Sequence, residues 1–179
     1  MLKNTENSYG LIARILHWII SFSIIGLICV GFFMSSMESS PEKSELYGMH
    51  KAFGVIVLSL IVLRVIWRLY DKTVLPPSDL PQMLKLAAKS GHFLLYLFML
   101  IMPISGIMMS RFGGHDIPVF GLFIIPAFEK NEGLSSIFYT IHTTAIWGFI
   151  AIIVLHIGAA FYHHFIRKDN VLMRMIKQL

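Results

Sequence analysis

The chain contains few charged residues and a single cysteine. Only 14% of its 179 residues are Asp, Glu, Lys or Arg, whereas 56% are apolar. Cys29 has no second cysteine to pair with, so an intrachain disulfide is excluded. The sequence also lacks an internal repeat and a polar stretch long enough to form a separate soluble domain. The low charge, the high apolar content and the lack of a soluble domain favour a membrane protein of one domain, residues 1–179.

The apolar residues are concentrated in four long stretches. A bilayer core of ~30 Å needs about 20 apolar residues in helical conformation, and each stretch meets or approaches that length. The first stretch is too long for the apolar core of a signal peptide and is not followed by an A-x-A cleavage site, so we interpret it as a retained helix. The sequence predicts an all-α membrane protein, a bundle of four transmembrane helices at about residues 11–37, 48–70, 90–111 and 136–166.

Charge is distributed unevenly between the two ends of the predicted bundle. The two termini and the loop after the second helix carry eleven basic and four acidic residues, and the opposite side carries four basic and six acidic residues. Because positive loops remain in the cytoplasm, both termini are predicted to be cytoplasmic. The basic tail is then a determinant of topology, and no nucleic-acid partner is expected.

Four histidines stand at matching depths in the predicted helices. His142 and His156 are fourteen residues apart on the fourth helix, which is roughly 21 Å along one helical face. His50 lies near the far-side end of the second helix, like His142, and His17 lies near the cytoplasmic end of the first helix, like His156. Topology therefore pairs His50 with His142 and His17 with His156.

Two histidines that face each other can hold an iron from both sides of a porphyrin. Zinc prefers about four clustered ligands, and two separated pairs do not offer them. The sequence has no C-x-x-C-H motif, so each haem would be bound non-covalently, as haem b. The alternative is that these histidines are buried polar residues hydrogen-bonded to neighbouring helices, which predicts a colourless protein.

Other polar residues near the predicted helix ends are candidates for supporting roles. Arg14, Lys51 and Arg64 could bind haem propionates, because a cationic donor complements a carboxylate; the alternative is snorkelling to the interface or, for Arg64, a buried polar network. His92 and His163, both near the cytoplasmic end, are candidates for a quinone site, because histidine both donates hydrogen bonds and accepts protons. The alternative for these two is contact with lipid headgroups.

Several sequence stretches are similar to those of a known family. The chain resembles the small bacterial cytochrome b561 family along nearly its whole length, and the most specific match is the segment with paired histidines near the C-terminus. The matching stretches include RILHW at Arg14–Trp18, MHKAFG at Met49–Gly54, IHTTAIWG at Ile141–Gly148 and LHIGAAFYHHFIRKDNVLMRM at Leu155–Met175. The resemblance implies a four-helix membrane protein with two haems b, and it places the four axial ligands on His17, His50, His142 and His156.

The resemblance also implies an oxidoreductase that exchanges electrons with ubiquinone. Some stand-alone family members oxidise periplasmic superoxide, and this reaction coupled to ubiquinone reduction is the predicted function. No catalytic side chain beyond the cofactor sites is expected, and the expected partners are lipid, ubiquinone and superoxide or another periplasmic donor. The alternative is an electron-conducting anchor subunit for a separate dehydrogenase or reductase.

Overall fold

A computed structural model describes residues 1–177 and consists mainly of four long helices. Each of the four is long and apolar enough to cross a membrane. The fourth continues as one turn of π-helix, Tyr162–Arg167. The all-α membrane class is thereby confirmed. The elements are α1 Leu11–Ser36, α2 Pro41–Tyr70, α3 Gln82–Phe112, β1 Ile117–Val119, β2 Phe123–Ile125, α4 Glu132–Phe161 and α5 Met173–Ile176.

Helix α2 begins at Pro41, ahead of the predicted start near residue 48. The side chain of Ser40 accepts a hydrogen bond of 3.2 Å from the backbone N–H of Lys43, which caps the free amides of the first turn. Proline is favoured at the first helical position because it has no N–H to satisfy there. The helix therefore extends beyond its apolar segment into the polar residues before it.

Helices α3 and α4 also begin earlier than predicted, at Gln82 and Glu132. The carbonyl of Pro81 accepts the N–H groups of Leu84 and Lys85 at the start of α3. At the start of α4, the side chain of Asn131 accepts the N–H of Leu134 at 3.0 Å. A side-chain cap is present at the start of α4, and the start of α3 is marked by its first backbone hydrogen bonds.

The connection between α3 and α4 contains a short β-hairpin that the sequence analysis did not predict. Strands β1 and β2 pair antiparallel, with Val119 opposite Phe123. Phe120 and Gly121 both have positive φ, 48° and 72°, and the N–H of Leu122 donates to the carbonyl of Val119 at 2.9 Å. These are features of a type I′ turn, which matches the twist of a hairpin.

The hairpin is anchored by apolar packing. Ile117 and Val119 are fully buried and pack against Val55 of α2. The turn itself is apolar but exposed, since Phe120 and Leu122 are 50% and 79% accessible. One face of the hairpin is therefore part of the core, and the other presents apolar side chains to the surroundings.

The chain divides into two compact units, each containing part of every long helix. The first consists of Met1–Ile19, Val62–Phe98 and Trp147–Leu179, and the second consists of Ile20–Ile61 and Met99–Ile146. The first unit contains both chain ends: the indole N–H of Trp18 donates to the carbonyl of Met175 at 3.0 Å. That contact puts the two termini on one side, as four membrane crossings require. The single domain over residues 1–179 remains a prediction.

Candidate haem sites

The second unit contains one of the predicted histidine pairs. His50 of α2 and His142 of α4 face each other with ring centres 6.5 Å apart and ring planes at 86°. Both histidines are half-buried. The structure thus brings together the two residues that depth alone had paired.

The first unit contains the other pair. His17 of α1 and His156 of α4 have ring centres 6.2 Å apart and planes at 69°. His92 of α3 lies next to this pair, with its ring centre 5.8 Å from that of His156. The predicted quinone residue His92 is therefore in direct contact with a predicted ligand.

Both ring separations fit a metal held between two imidazoles. Each metal–nitrogen bond is about 2.0 Å long and each ring centre lies about 1 Å beyond its nitrogen, which gives roughly 6 Å between centres. Within residues 1–177 there is no group of three or more His, Cys, Asp or Glu side chains arranged to hold a metal ion. Two-ligand sites of this kind suit an iron whose remaining ligands come from a porphyrin.

Buried polar nitrogens without a protein partner also fit a bound group. In the described part of the chain these include Nδ1 of His50 and Nε of Arg14. A buried donor or acceptor without a partner is costly, so its partner is expected from outside the chain. Arg14 thus retains a free donor suited to a carboxylate, which supports its predicted role towards a haem propionate.

The other two propionate candidates already have protein partners. One terminal nitrogen of Arg64 donates to the carbonyl of Ala13 at 3.3 Å, and the other lies 3.4 Å from Nδ1 of His17. Lys51 donates to the hydroxyl of Ser110 at 3.3 Å. The contacts of Arg64 match the buried-network interpretation more closely than the propionate one. Both assignments remain predictions.

His163 belongs to a separate polar cluster beyond the end of α4. Its Nδ1 lies 2.6 Å from the carboxylate of Asp169, which also accepts from Nε of Arg167 at 3.2 Å. Arg167 makes a second ion pair with Asp79 at 2.9 Å. Burial acts to raise the pKa of Asp169, but hydrogen bonds from His163, the Val171 N–H and Arg167 outweigh it, and the pKa falls below its ordinary value.

Sequence reasoning found the histidines but missed the groups that hold them. Asp169 was not predicted as the partner of His163. The π-helical turn and the left-handed Lys168, with φ of 55°, bring Asp169 back towards His163. A π-helical turn leaves no clear trace in hydropathy, so the only available signal was an acidic residue six positions after a histidine.

Four membrane-length helices that bring two pairs of histidine rings within 6.5 Å of each other define the class of membrane cytochrome. A model of the family described as prokaryotic cytochrome b561 matches residues 8–178. The chain belongs to this family. Its members bind haem b and transfer electrons in the membrane, and the protein is accordingly a multi-pass protein of the inner membrane.

Curated relatives agree with the family assignment. The chain is 33% identical over 184 residues to cytochrome b561 homolog 2 of Escherichia coli K12, covering 97% of this chain and 93% of the relative. It is 32% identical over 172 residues to cytochrome b561 homolog 1 of the same organism, covering 90% and 92%. It is 29% identical over 167 residues to a protein of Yersinia pestis named probable superoxide oxidase CybB, covering 90% and 91%.

Proposed function

We propose that the protein oxidises superoxide on the periplasmic side and reduces ubiquinone, passing electrons through two haems b. One haem would be held by His50 and His142 and the other by His17 and His156. The observation that carries this proposal is the pair of ring separations, 6.5 and 6.2 Å, since each fits one iron between two imidazoles. The His92–His156 separation of 5.8 Å fits as well, and the family resemblance, not distance, selects His17 as the second ligand of His156. The excess of basic residues on the side of the termini supports a cytoplasmic location for both ends.

The paired histidines determine what kind of chemistry each site supports. Haem b, when bound, supplies a one-electron couple at the iron. Because two histidines would hold each haem, no coordination position would remain open for oxygen or another small ligand. The residues therefore support transfer of electrons at the haem edge and oppose reactions that require binding to the metal.

Lys51 is the residue best placed to attract an anionic donor. It follows His50 directly on α2, and its ammonium group, held by Ser110, belongs to the same unit as the His50–His142 pair. The predicted periplasmic side is acidic overall, with six acidic and four basic residues, so a local positive charge is needed to concentrate superoxide there. The name of the Yersinia pestis relative supports superoxide as the donor.

His163 and His92 support quinone chemistry at the cytoplasmic end. Reduction of ubiquinone to ubiquinol takes two electrons and two protons, so proton donors are needed where the quinone is reduced. His163 is oriented by Asp169 through Nδ1, which leaves Nε2 for another partner. His92, in contact with His156, would bring a second donor close to the haem.

The experiment that tests this function supplies superoxide enzymatically to purified protein and records the formation of ubiquinol. Wild-type protein should form ubiquinol in a reaction that superoxide dismutase abolishes. Lys51→Gln should react about tenfold more slowly at low ionic strength, with the difference shrinking as salt screens the charge. Lys130→Gln is the matched control, because this lysine is exposed and paired with Glu132.

Two results would contradict the proposal. Absence of ubiquinol formation by haem-loaded wild-type protein would reject superoxide as the donor. Reduction of the haems only by a co-purifying soluble dehydrogenase would favour the anchor-subunit alternative.

A further inference from the structure

One turn of α3 contacts the ring of His142 from the side. The backbone carbonyl of Met102 lies 2.8 Å from Nδ1 of His142, and the hydroxyl oxygen of Ser105 lies 3.1 Å from the same nitrogen. Ser105 is only 2% exposed, and its hydroxyl also donates to the carbonyl of Met102 at 2.9 Å. The three groups form a closed polar network in apolar surroundings.

This network determines which nitrogen of His142 carries the proton. A carbonyl oxygen can only accept a hydrogen bond, so Nδ1 must be the donor. The hydroxyl of Ser105 uses its own hydrogen on Met102, which leaves an oxygen lone pair to share the Nδ1 hydrogen. In a neutral imidazole with Nδ1 protonated, Nε2 keeps the lone pair that binds a metal.

Gly106 provides the space that the ring occupies. A Cβ atom at this position would lie 3.1 Å from Cε1 and 3.4 Å from Nδ1 of His142, closer than most real Cβ contacts. A side chain there would require the edge of the imidazole to shift by a few tenths of an ångström. Glycine therefore serves here for close approach of the ring and not for backbone conformation.

The partner histidine has no comparable support. Nδ1 of His50 is buried without a hydrogen-bond partner in the described part of the chain. A Cβ added at Gly31 would lie 3.6 Å from Cε1 of His50, an ordinary contact distance. The protein thus fixes one ring of this pair and leaves the other to be oriented by what it binds.

We propose that the α3 turn Met102–Gly106 is a positioning element for His142. The Met102 carbonyl and the Ser105 hydroxyl fix the tautomer and plane of the imidazole ring, and Gly106 leaves space for the ring. This inference rests on the proposed function, in which His142 is an axial ligand. It adds that the two ligands of this haem are unequal, one pre-oriented by the chain and the other not.

The test compares Gly106→Ala and Ser105→Ala with the controls Gly26→Ala and Ser59→Ala. A Cβ at Gly26 would meet nothing within 4 Å, and the Ser59 hydroxyl bonds the Val55 carbonyl of its own helix. The readouts are haem content per chain and the electron paramagnetic resonance spectrum of the oxidised protein. Alanine has a higher helix propensity than glycine, so a loss of haem in Gly106→Ala cannot result from lower helix propensity.

Gly106→Ala should lose most of one haem, the same one that His142→Ala loses, and keep the low-spin signal of the other. Ser105→Ala should keep both haems and shift the resonance of that haem alone. Both controls should match the wild type. Wild-type haem content and spectra in Gly106→Ala, or an unshifted spectrum in Ser105→Ala, would overturn the positioning role. If His142→Ala itself keeps both haems, the ligand assignment fails instead, and the two failures are thereby distinguished.

Discussion

At the scale of single residues, the account depends on which histidines share a haem. His50→Ala and His142→Ala should each remove the same haem, and His17→Ala and His156→Ala should each remove the other, because a six-coordinate low-spin site needs both ligands. Reduced-minus-oxidised spectra and haem content measure the loss. His115→Ala, at an exposed position, is the control. Removal of the same haem by His50→Ala and His156→Ala would show that the pairing is wrong.

Asp169 provides a second test at this scale, outside the haem sites. The pKa of Asp169 is lowered in the folded state. The carboxylate therefore makes its full contribution to the free energy of unfolding at pH values above the ordinary aspartate pKa of about 3.9. This contribution is lost as the pH falls through the lower folded-state pKa. Asp169→Asn should therefore reduce the free energy of unfolding at pH 8 by about 1–2 kcal/mol, since charged hydrogen bonds to His163 and Arg167 are lost. It should also slow oxidation of the haems by quinone.

Thermal unfolding at pH 8 and stopped-flow oxidation of pre-reduced protein check these two effects. Glu129→Gln, an exposed acidic position in the α3–α4 connection, controls for loss of a negative charge. Unchanged stability and an unchanged oxidation rate in Asp169→Asn would indicate that the His163–Asp169 contact has neither a structural nor a functional role.

At the scale of helices, close packing between α3 and α4 in the first unit depends on Gly148. A Cβ at this position would lie 2.7 Å from Cζ of Phe98, whose ring stacks on Phe149 with centres 5.9 Å apart. Gly148→Ala should lower the free energy of unfolding by about 1–3 kcal/mol through overpacking. Phe98→Leu should recover part of that loss in the double variant, which a double-mutant cycle of thermal unfolding would show. Additive effects of the two substitutions would contradict direct contact.

The sequence predicted the four long helices more reliably than their ends. Hydropathy located the apolar segments but not the polar turns added before them, although Ser40–Pro41 and Asn131 are recognisable capping signals.

The histidine pairs followed from depth along each helix, which needs only the helical rise. The contacts from Met102 to His142 and from Asp169 to His163 were not predictable, because they depend on side chains and carbonyls that meet only after folding. The hairpin was missed because its turn uses Phe120 in a left-handed conformation that sequence patterns rarely indicate.

At the scale of the whole molecule, the chain is a membrane cytochrome with little outside the membrane. In residues 1–177, the parts outside the four long helices are short connections, a hairpin and a tail that hydrogen-bonds to Trp18 and Arg14 of α1. These parts offer limited surface for a soluble partner. The small-molecule partners of the proposed function are consistent with this limited surface.

In the proposed function, one chain holds two haems b, each between two histidines. The most direct measurement is the haem content per chain of detergent-purified protein from haem-replete cells, together with the reduced-minus-oxidised spectrum. Two low-spin b haems per chain are expected. One haem would mean that one histidine pair is structural, and a folded protein with no haem would exclude electron transfer through this chain.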